Sequence, residues 1–364
     1  MRSLKRWRLA RWLGPWARPT ATPKHVVRTT HEIALSAGQV MTTWRYVSSR
    51  HPPRRALLLL QGLHFAGPED PRMDRFARIL ADAGALVIAP FLPTYTGLRL
   101  GSGVIDEATA ALRALQIEAR EARLGRPVIF SISFGSLPAL RLAATRPDDV
   151  GGLVVFGGYA DWKLTLRFAL TGEHAGDPVT RDPLNQPVIW MNLLEHMDEA
   201  LQAHDRERVC AAWLAYMRRT WGRPEMKPED AHHPVAREVA QELPAHLRRL
   251  FLMGCGCEAS EEGLARCMAA LERRSGLDEL LDPRPQIPQI RTPTVLIHGR
   301  GDDVIPYTQL DALRQAFSPE ADVRAFLTGL YGHTGLARFS GLFGELGGMV
   351  GILRALSTVG KADP

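Results

Sequence analysis

Three residues with the chemistry of a catalytic triad occur in the order serine, aspartate, histidine, each just after an apolar segment. They are Ser133, Asp302 and His333. A histidine can take the proton of a serine hydroxyl and make the oxygen a nucleophile, while a carboxylate orients the histidine and stabilises its charged form. Because some catalytic triads follow this order along the chain, the pattern predicts nucleophilic catalysis by a serine.

Ser133 is the central residue of the segment Ser131-Ile132-Ser133-Phe134-Gly135. A nucleophilic serine between a strand and a helix occupies a sharp, strained turn, so the residues two places before and after it must be small. Ser131 and Gly135 meet this requirement, although glycine is more usual at the first position. An apolar run before Ser133 and a helical pattern after it favour the strand and the helix that such a turn joins.

Two neighbouring carboxylates compete for the role of the triad acid. Asp302 and Asp303 follow an apolar run, in a turn between Gly299 and Pro306. The spacing favours Asp302 as the acid, whereas Asp303 would cap the turn or bond to local backbone. The base, His333, has a glycine directly before it, and a histidine in this setting is free to turn towards a nucleophile.

A second loop, Gln61-Gly62-Leu63-His64, follows the first apolar run of the predicted sheet. Acyl transfer requires two backbone N–H donors that face the developing oxyanion. We predict that Phe134, directly after the nucleophile, supplies one donor and that Leu63 supplies the other. Gly62 would let the backbone approach closely. His64 is a second candidate base, but a histidine in such a loop more often has a packing role.

Short apolar runs alternate with helical patterns in two parts of the chain. Such alternation is typical of a parallel sheet with helices on both faces, and unbroken apolar runs are typical of strands buried on both sides. Residues 25–48 predict two further strands around a turn. We therefore predict an α/β fold with a mostly parallel sheet. The other predicted strands are 56–60, 85–89, 127–132, 153–156, 294–297 and 323–327, and the predicted helices are 71–83, 105–122 and 137–145.

The alternation stops after Gly158 and divides the chain. We predict a core formed by residues 25–158 and 291–364, with a helical cap insertion of residues 159–290 between them. Because the insertion leaves and re-enters the sheet at the strand ends that carry the predicted triad, we expect it to cover the triad. Its tryptophans and methionines either select an apolar or acyl substrate or only pack the insertion.

Residues 1–24 form a basic leader, which we predict to be flexible. The chain has 364 residues and a formal net charge of +6, and part of that charge lies in residues 1–18. With no basic stripe or known module in the remaining chain, we predict no nucleic-acid partner. The leader could contact a membrane surface weakly through a short amphipathic helix. The apolar face of that helix would consist of Leu9, Trp12, Leu13 and Trp16.

The cellular compartment is indicated by apolar runs and cysteines. No run is long enough to span a membrane, and the N-terminus lacks the apolar core of a signal peptide. The four cysteines form no disulfide framework, and Cys255-Gly256-Cys257 lacks a usual zinc spacing. We predict free thiols in a cytoplasmic protein that is peripheral to a membrane if the leader binds one. Oligomeric state is not predicted.

Taken together, Gln61-Gly62, Ser131-x-Ser133-x-Gly135, Gly299-x-x-Asp302 and Gly332-His333 resemble the α/β-hydrolase superfamily, in its capped serine esterase, lipase and peptidase branch. The resemblance covers residues about 40–160 and 290–345, and members usually have histidine where Gln61 stands. It implies an α/β-hydrolase fold and a serine hydrolase that needs no metal or cofactor. Because this fold hosts many chemistries, the resemblance does not fix the substrate.

Several activities fit this pattern. Our first hypothesis is hydrolysis of a small carboxylic ester with an apolar or acyl group, through an acyl-enzyme on Ser133. An acyltransferase or an amidase or peptidase would use the same triad. A non-catalytic binding protein with this fold is a further alternative, which an intact triad disfavours. Haloalkane and epoxide hydrolases use an aspartate nucleophile, so Ser133 argues against them.

Overall fold

The computed structural model divides the chain into two compact units. The first unit contains Met1–Asp161, Asp282–Asp302 and Tyr307–Pro364, and the second contains Trp162–Leu281 with Asp303–Pro306. The structure describes residues 4–359 except 15, 19, 177–178, 198–200, 229, 259–260, 274–278, 330, 333–334 and 337–341.

The first unit is built on an eight-stranded sheet. The strands are β1 (Val26–Ala34), β2 (Val40–Ser48), β3 (Arg55–Leu60), β4 (Ala85–Pro90), β5 (Val128–Ile132), β6 (Gly152–Phe156), β7 (Thr294–Gly299) and β8 (Val323–Thr328). Their spatial order is β1-β2-β4-β3-β5-β6-β7-β8. The hairpin β1–β2 and the pair β2–β4 are antiparallel, and the other neighbouring strands are parallel. The predicted α/β fold with a mostly parallel sheet is therefore confirmed.

The described part of the chain also contains helices. They are α1 (Arg6–Leu13), α2 (Pro71–Asp82), α3 (Pro93–Thr96), α4 (Gly103–Glu121), α5 (Ser136–Thr145), α6 (Trp162–Thr171), α7 (Gln186–Met197), α8 (Ala203–Thr220), α9 (His233–Gln241), α10 (Ala245–Gly254), α11 (Glu261–Arg273), α12 (Gln309–Ala316) and α13 (Leu342–Thr358). Helices α6–α11 belong to the second unit and the others to the first.

Every residue of β3, β4 and β7 is buried, which explains the continuous apolar runs at residues 56–60, 85–89 and 295–297. Alternate residues of the strands form one face of the sheet, because successive side chains of a strand point to opposite sides. On that face Leu57, Val87 and Phe130 belong to one core cluster with apolar residues of α1, α2 and α13. The core of the first unit thus fixes the strand ends, where the candidate site residues lie.

In the second unit, the described residues from Trp162 to Leu281 form helices and no strands. The helices pack around buried aromatic rings. The ring of Trp213 lies 6.3 Å from that of Trp190 and 6.5 Å from that of Phe251. Gly254 lets α10 pack closely against α8, because a Cβ at this position would lie 2.5 Å from the ring of Trp213 in α8. Packing accounts for these aromatic residues of the insertion.

The leader differs from our expectation, because part of it is a docked helix rather than a flexible segment. Leu9 of α1 is fully buried in the core cluster of the first unit, and α1 contacts α2 and α13. The Asp82 carboxylate lies 3.2 Å from Arg8 and accepts a hydrogen bond from the Trp12 indole. Two of the residues that we assigned to a membrane-facing surface, Leu9 and Trp12, therefore contact the protein itself.

The exposed aromatic residues of the leader are Trp7 and Trp16. Membrane contact through residues 1–18 stays a prediction. None of the helices in the described part of the chain is long and apolar enough to cross a membrane.

We expect Leu9→Ala to destabilise the protein by about 2–5 kcal/mol, because truncation of a buried leucine loses apolar burial and leaves a cavity. Trp7→Ala is the matched control on the same helix, since Trp7 is 60% exposed, and we expect a change within about 0.5 kcal/mol. Urea unfolding of both variants measures the free energies of unfolding. Equal stabilities of the two variants would contradict the docking of α1.

Candidate active site

Ser133 occupies the sharp turn between β5 and α5. Its φ is +55°, in the left-handed region that a side chain with a Cβ rarely adopts. A single turn of 3₁₀-helix, Ser133–Gly135, leads directly into α5. Such a backbone costs about 1–3 kcal/mol and persists only where surrounding structure enforces it. This geometry is the one expected of a nucleophilic serine between a strand and a helix.

The loop after β3 enforces this turn by close packing. A Cβ at Gly135 would lie 2.5 Å from the carbonyl oxygen of Gln61. A Cβ at Gly62 would lie 2.8 Å from the Cβ of Ser133 and 3.2 Å from its Oγ. Both positions therefore require glycine. Gly62 and the Ser133 hydroxyl are therefore adjacent, and the supporting role of Gly62 stays a prediction.

Ser131 occupies the position where glycine is usual. The residue is fully buried, and its hydroxyl donates a hydrogen bond of 3.1 Å to the carbonyl oxygen of Val154 in the neighbouring strand β6. A buried hydroxyl costs free energy unless it has such a partner. Serine is therefore accommodated here as a small residue whose polar group is satisfied within the sheet.

Two tyrosines contact Phe134, one at its backbone and one at its ring. Its carbonyl oxygen accepts a hydrogen bond of 2.8 Å from the buried Tyr95 hydroxyl, and its ring lies 5.1 Å from that of Tyr159. Burial raises the pKa of Tyr95 well above its usual value, which keeps the hydroxyl protonated as a donor. These contacts hold the residue whose backbone N–H we predict to face an oxyanion.

Tyr95 was not identified from the sequence. It follows the carboxyl end of β4, and ligands of parallel sheets bind at the carboxyl ends of strands. Its position shortly after β4 is the signal in the sequence that could have identified it.

The loop that carries Leu63 is braced by polar contacts of His64. Its Nδ1 accepts a hydrogen bond of 3.1 Å from the Ala66 N–H, and its Nε2 lies 3.5 Å from the Asp70 carboxylate. Asp70 also accepts a hydrogen bond from the Arg72 N–H and so caps α2. Burial raises the pKa of Asp70, but Arg72 outweighs that effect and the net shift is downward. These contacts favour a loop-bracing role for His64 over that of a second base.

Gln61, at the start of this loop, has a buried amide group. That amide makes no hydrogen bond within the described part of the chain. Gly67, whose φ is +53°, passes close to it, since a Cβ there would lie 3.0 Å from the amide nitrogen. Such a buried amide is a donor or an acceptor that a ligand or a water molecule could satisfy.

Asp302 lies in the turn after β7 and is almost fully buried. Its backbone N–H donates to the carbonyl oxygen of Gly299, and its carboxylate lies 3.4 Å from Nε2 of the buried His298. Strand β6 lies between β5 and β7. Its Phe156 pairs with Ile132 of β5 on one side and with Ile297 of β7 on the other. The chains that lead into Ser133 and Asp302 are therefore about 10 Å apart, two strand spacings.

Asp303 has a different environment, within the second unit. Its carboxylate forms an ion pair with Lys227, whose Nζ also lies 2.8 Å from the Asp182 carboxylate. The carbonyl oxygen of Asp303 accepts a hydrogen bond from the Asp182 N–H. Burial lowers the pKa of Lys227, but the two carboxylates outweigh it and raise the pKa, so this lysine stays charged. Asp303 thus belongs to an ion-pair network of the second unit.

His333, the predicted base, lies outside the described residues. In the sequence it falls between two short strands, β9 (Tyr331–Gly332) and β10 (Gly335–Leu336), which pair with each other in an antiparallel sense. Strand β8, which precedes them, is the neighbour of β7 in the sheet. The role of His333 stays a prediction from the sequence.

Known structures resemble this chain, whereas known sequences do not. No protein-family model and no curated protein sequence matches the chain. Solved structures match with probability 1.00. One is brefeldin A esterase, described as a bacterial homologue of human hormone-sensitive lipase, with TM-score 0.50, 13% identity and coverage of 97% of this chain and 81% of that one.

Two archaeal structures give similar values. An esterase from Pyrococcus furiosus has TM-score 0.50 and 15% identity, with coverage of 93% of this chain and 95% of that one. The acylaminoacyl peptidase of Pyrococcus horikoshii has TM-score 0.50 and 10% identity, with coverage of 94% of this chain but only 43% of the peptidase. At such identities the likeness concerns the fold, and together with the strand order and the turn at Ser133 it shows that this chain has the α/β-hydrolase fold.

Proposed function

We propose that the chain is a serine hydrolase that cleaves a carboxylic ester through an acyl-enzyme on Ser133. The observation that carries the proposal is the left-handed backbone of Ser133 at the end of β5, with Gly62 beside its hydroxyl. Strain of this kind is concentrated at functional sites, and it turns the serine side chain out of the strand. A serine with a purely structural role would have no need of it.

In the proposed reaction, His333 takes the proton of the Ser133 hydroxyl as the oxygen attacks the ester carbonyl carbon. The oxyanion of the tetrahedral intermediate accepts hydrogen bonds from the backbone N–H groups of Phe134 and Leu63. Collapse of the intermediate breaks the ester C–O bond, and His333 returns the proton to the departing alcohol. Water then attacks the acyl-enzyme in the same way, and the carboxylic acid leaves with Ser133 regenerated.

Asp302 is the proposed acid, with Asp303 as the rejected alternative. The Asp302 carboxylate is buried at the end of β7, while Asp303 is engaged with Lys227. A triad acid must hold one tautomer of the histidine and stabilise the imidazolium. A carboxylate that already forms an ion pair with a lysine is less suited to this role, because the lysine weakens its attraction for a second cation.

The proposed substrate carries an apolar or acyl group. The support comes from the second unit, which contains a cavity of about 290 Å³. Its lining includes the apolar side chains of Leu170, Trp190, Met253 and Leu264 and the polar or charged side chains of Arg181, Gln186 and Glu258. A lining of both kinds suits a ligand that has an apolar part and a polar group. That the insertion covers Ser133 stays a prediction, as does the identity of the acyl group.

Replacement of the nucleophile gives the most direct test. We expect Ser133→Ala to abolish both ester hydrolysis and covalent labelling by a fluorophosphonate probe, because the alanine has no oxygen to acylate or phosphonylate. The matched control is Ser131→Ala, which should still be labelled and should lose only about 0.5–1.5 kcal/mol of stability with its hydrogen bond. A folded Ser133→Ala protein that is still labelled would refute the assignment.

The same probe separates the alternative functions. A non-catalytic protein with this fold would not react with the probe in its unmutated form. An acyltransferase or an amidase would react, and a panel of esters, amides and acyl acceptors then distinguishes these activities from ester hydrolysis.

For the acid, we expect Asp302→Asn to lower kcat by about 10⁴-fold, the scale measured where a triad histidine is left in the wrong tautomer. Asp303→Asn removes one of two carboxylates from Lys227 and should change kcat little. Steady-state kinetics of both variants with one activated ester decides between the residues. A larger loss of kcat for Asp303→Asn would show that the choice is wrong.

The packing against Ser133 is tested by Gly62→Ala. The added methyl would lie 2.8 Å from the Ser133 Cβ, so the nucleophile or the loop must move. We expect kcat/KM to fall by about 10²-fold, as when a reacting group is displaced by about 1 Å. Gly101→Ala is the control, because its methyl would meet only an ordinary contact at 3.7 Å. Equal kcat/KM values for the two variants would contradict the proposed position of Gly62.

A further inference from the structure

Two histidines and a cysteine converge in the second unit, and the proposed reaction at Ser133 uses none of them. His232 and His233 stand at the start of α9, and Cys257 lies just after α10. One ring nitrogen of each histidine and the sulfur of Cys257 all lie within 4.8 Å of one another. His232 is buried, and the other two residues are partly buried.

This spacing is close to that of a metal site. Zinc binds imidazole nitrogen at about 2.0–2.1 Å and thiolate sulfur at about 2.3 Å in tetrahedral geometry, which puts ligand atoms roughly 3.5 Å apart. Small side-chain movements would therefore bring the three atoms onto one ion. The two imidazoles and one thiol also form a ligand set of the type that zinc prefers over oxygen-only sites.

Neighbouring groups orient both imidazole rings. Nδ1 of His232 forms a hydrogen bond of 2.8 Å with the hydroxyl of Tyr216, and Nδ1 of His233 lies 3.3 Å from the carboxylate of Asp230. Histidine ligands usually have their second ring nitrogen bound to a carboxylate or a similar group, which fixes the ring and its tautomer. With Nδ1 engaged in these contacts, Nε2 is the nitrogen of each ring that remains for an ion.

Backbone geometry brings the thiol to this point. Gly256, with φ of +72°, turns the chain after α10, and the N–H of Cys257 donates to the carbonyl oxygen of Leu252. The Cys257 thiol makes a long contact of 3.9 Å with the carbonyl oxygen of Cys255. All four cysteines are free. Local packing explains where the loop runs, but it does not require three metal-binding groups to meet.

We propose that His232, His233 and Cys257 form a Zn²⁺ site in the second unit, with a water molecule as the fourth ligand. The site joins the start of α9 to the segment after α10, so a bound ion would hold these two segments together. Because the ion binds the folded arrangement better than the unfolded chain, it stabilises the second unit by mass action. The spacing of Cys255 and Cys257 argues against a zinc site that uses both, and the proposed site uses Cys257 alone.

Cobalt(II) is the probe, because it substitutes for zinc and is coloured in a tetrahedral thiolate site. We expect the full-length chain without an affinity tag to bind one equivalent of Co²⁺ with a thiolate-to-cobalt charge-transfer band, which added Zn²⁺ removes. Cys257→Ser should lose the charge-transfer band, and His233→Gln should weaken Co²⁺ binding at least about 10-fold. Cys267→Ser, which removes a buried thiol outside the cluster, should keep the band.

X-ray absorption of the zinc-loaded unmutated chain gives a measurement that does not depend on the folding of any variant. We expect one sulfur and two imidazole neighbours around the ion. A first shell of oxygen and nitrogen alone would overturn the proposal, as would the absence of the cobalt band or its persistence in Cys257→Ser.

Discussion

The left-handed backbone of Ser133 is the constraint on which the rest of the candidate site depends. A φ of +55° at a residue with a Cβ is unfavourable, and here it is enforced by strand pairing. Leu60 of β3 pairs with Ser131 of β5, so the two chains leave the sheet side by side. With Gly135 pressed against the backbone of Gln61, the turn has no room to relax into ordinary helical geometry.

The contacts around this turn come from several strands. Ser131 is tied to β6 through Val154, and Tyr95, which follows β4, holds the carbonyl group of Phe134. The parallel sheet brings these residues together because the carboxyl ends of its parallel strands all lie at the same end of the sheet. Loops from different strands can then hold one backbone segment, so the backbone around the predicted oxyanion site is positioned before charge develops there.

Adjacent carboxylates can have unrelated roles when the chain passes from one unit to the other between them. Asp302 is the last residue of one segment of the first unit, and Asp303 begins a short segment of the second. The first is buried beside His298, and the second is paired with Lys227. A turn at a unit boundary thus separates two side chains that are equivalent in composition and spacing, and only their partners distinguish them.

Local pattern determined much of this protein: the buried strands, the turn at Ser133 with its small neighbours, and the helical nature of the insertion. These features depend on residues close together in the sequence, where apolar runs and glycine positions are informative. Tertiary structure alone decided the docking of Leu9, the contact of Tyr95 with Phe134, the pairing of Asp303 with Lys227, and the meeting of the two histidines with Cys257. Each of these joins residues far apart in the chain, and no spacing rule specifies which distant side chains become neighbours once the sheet and helices have packed.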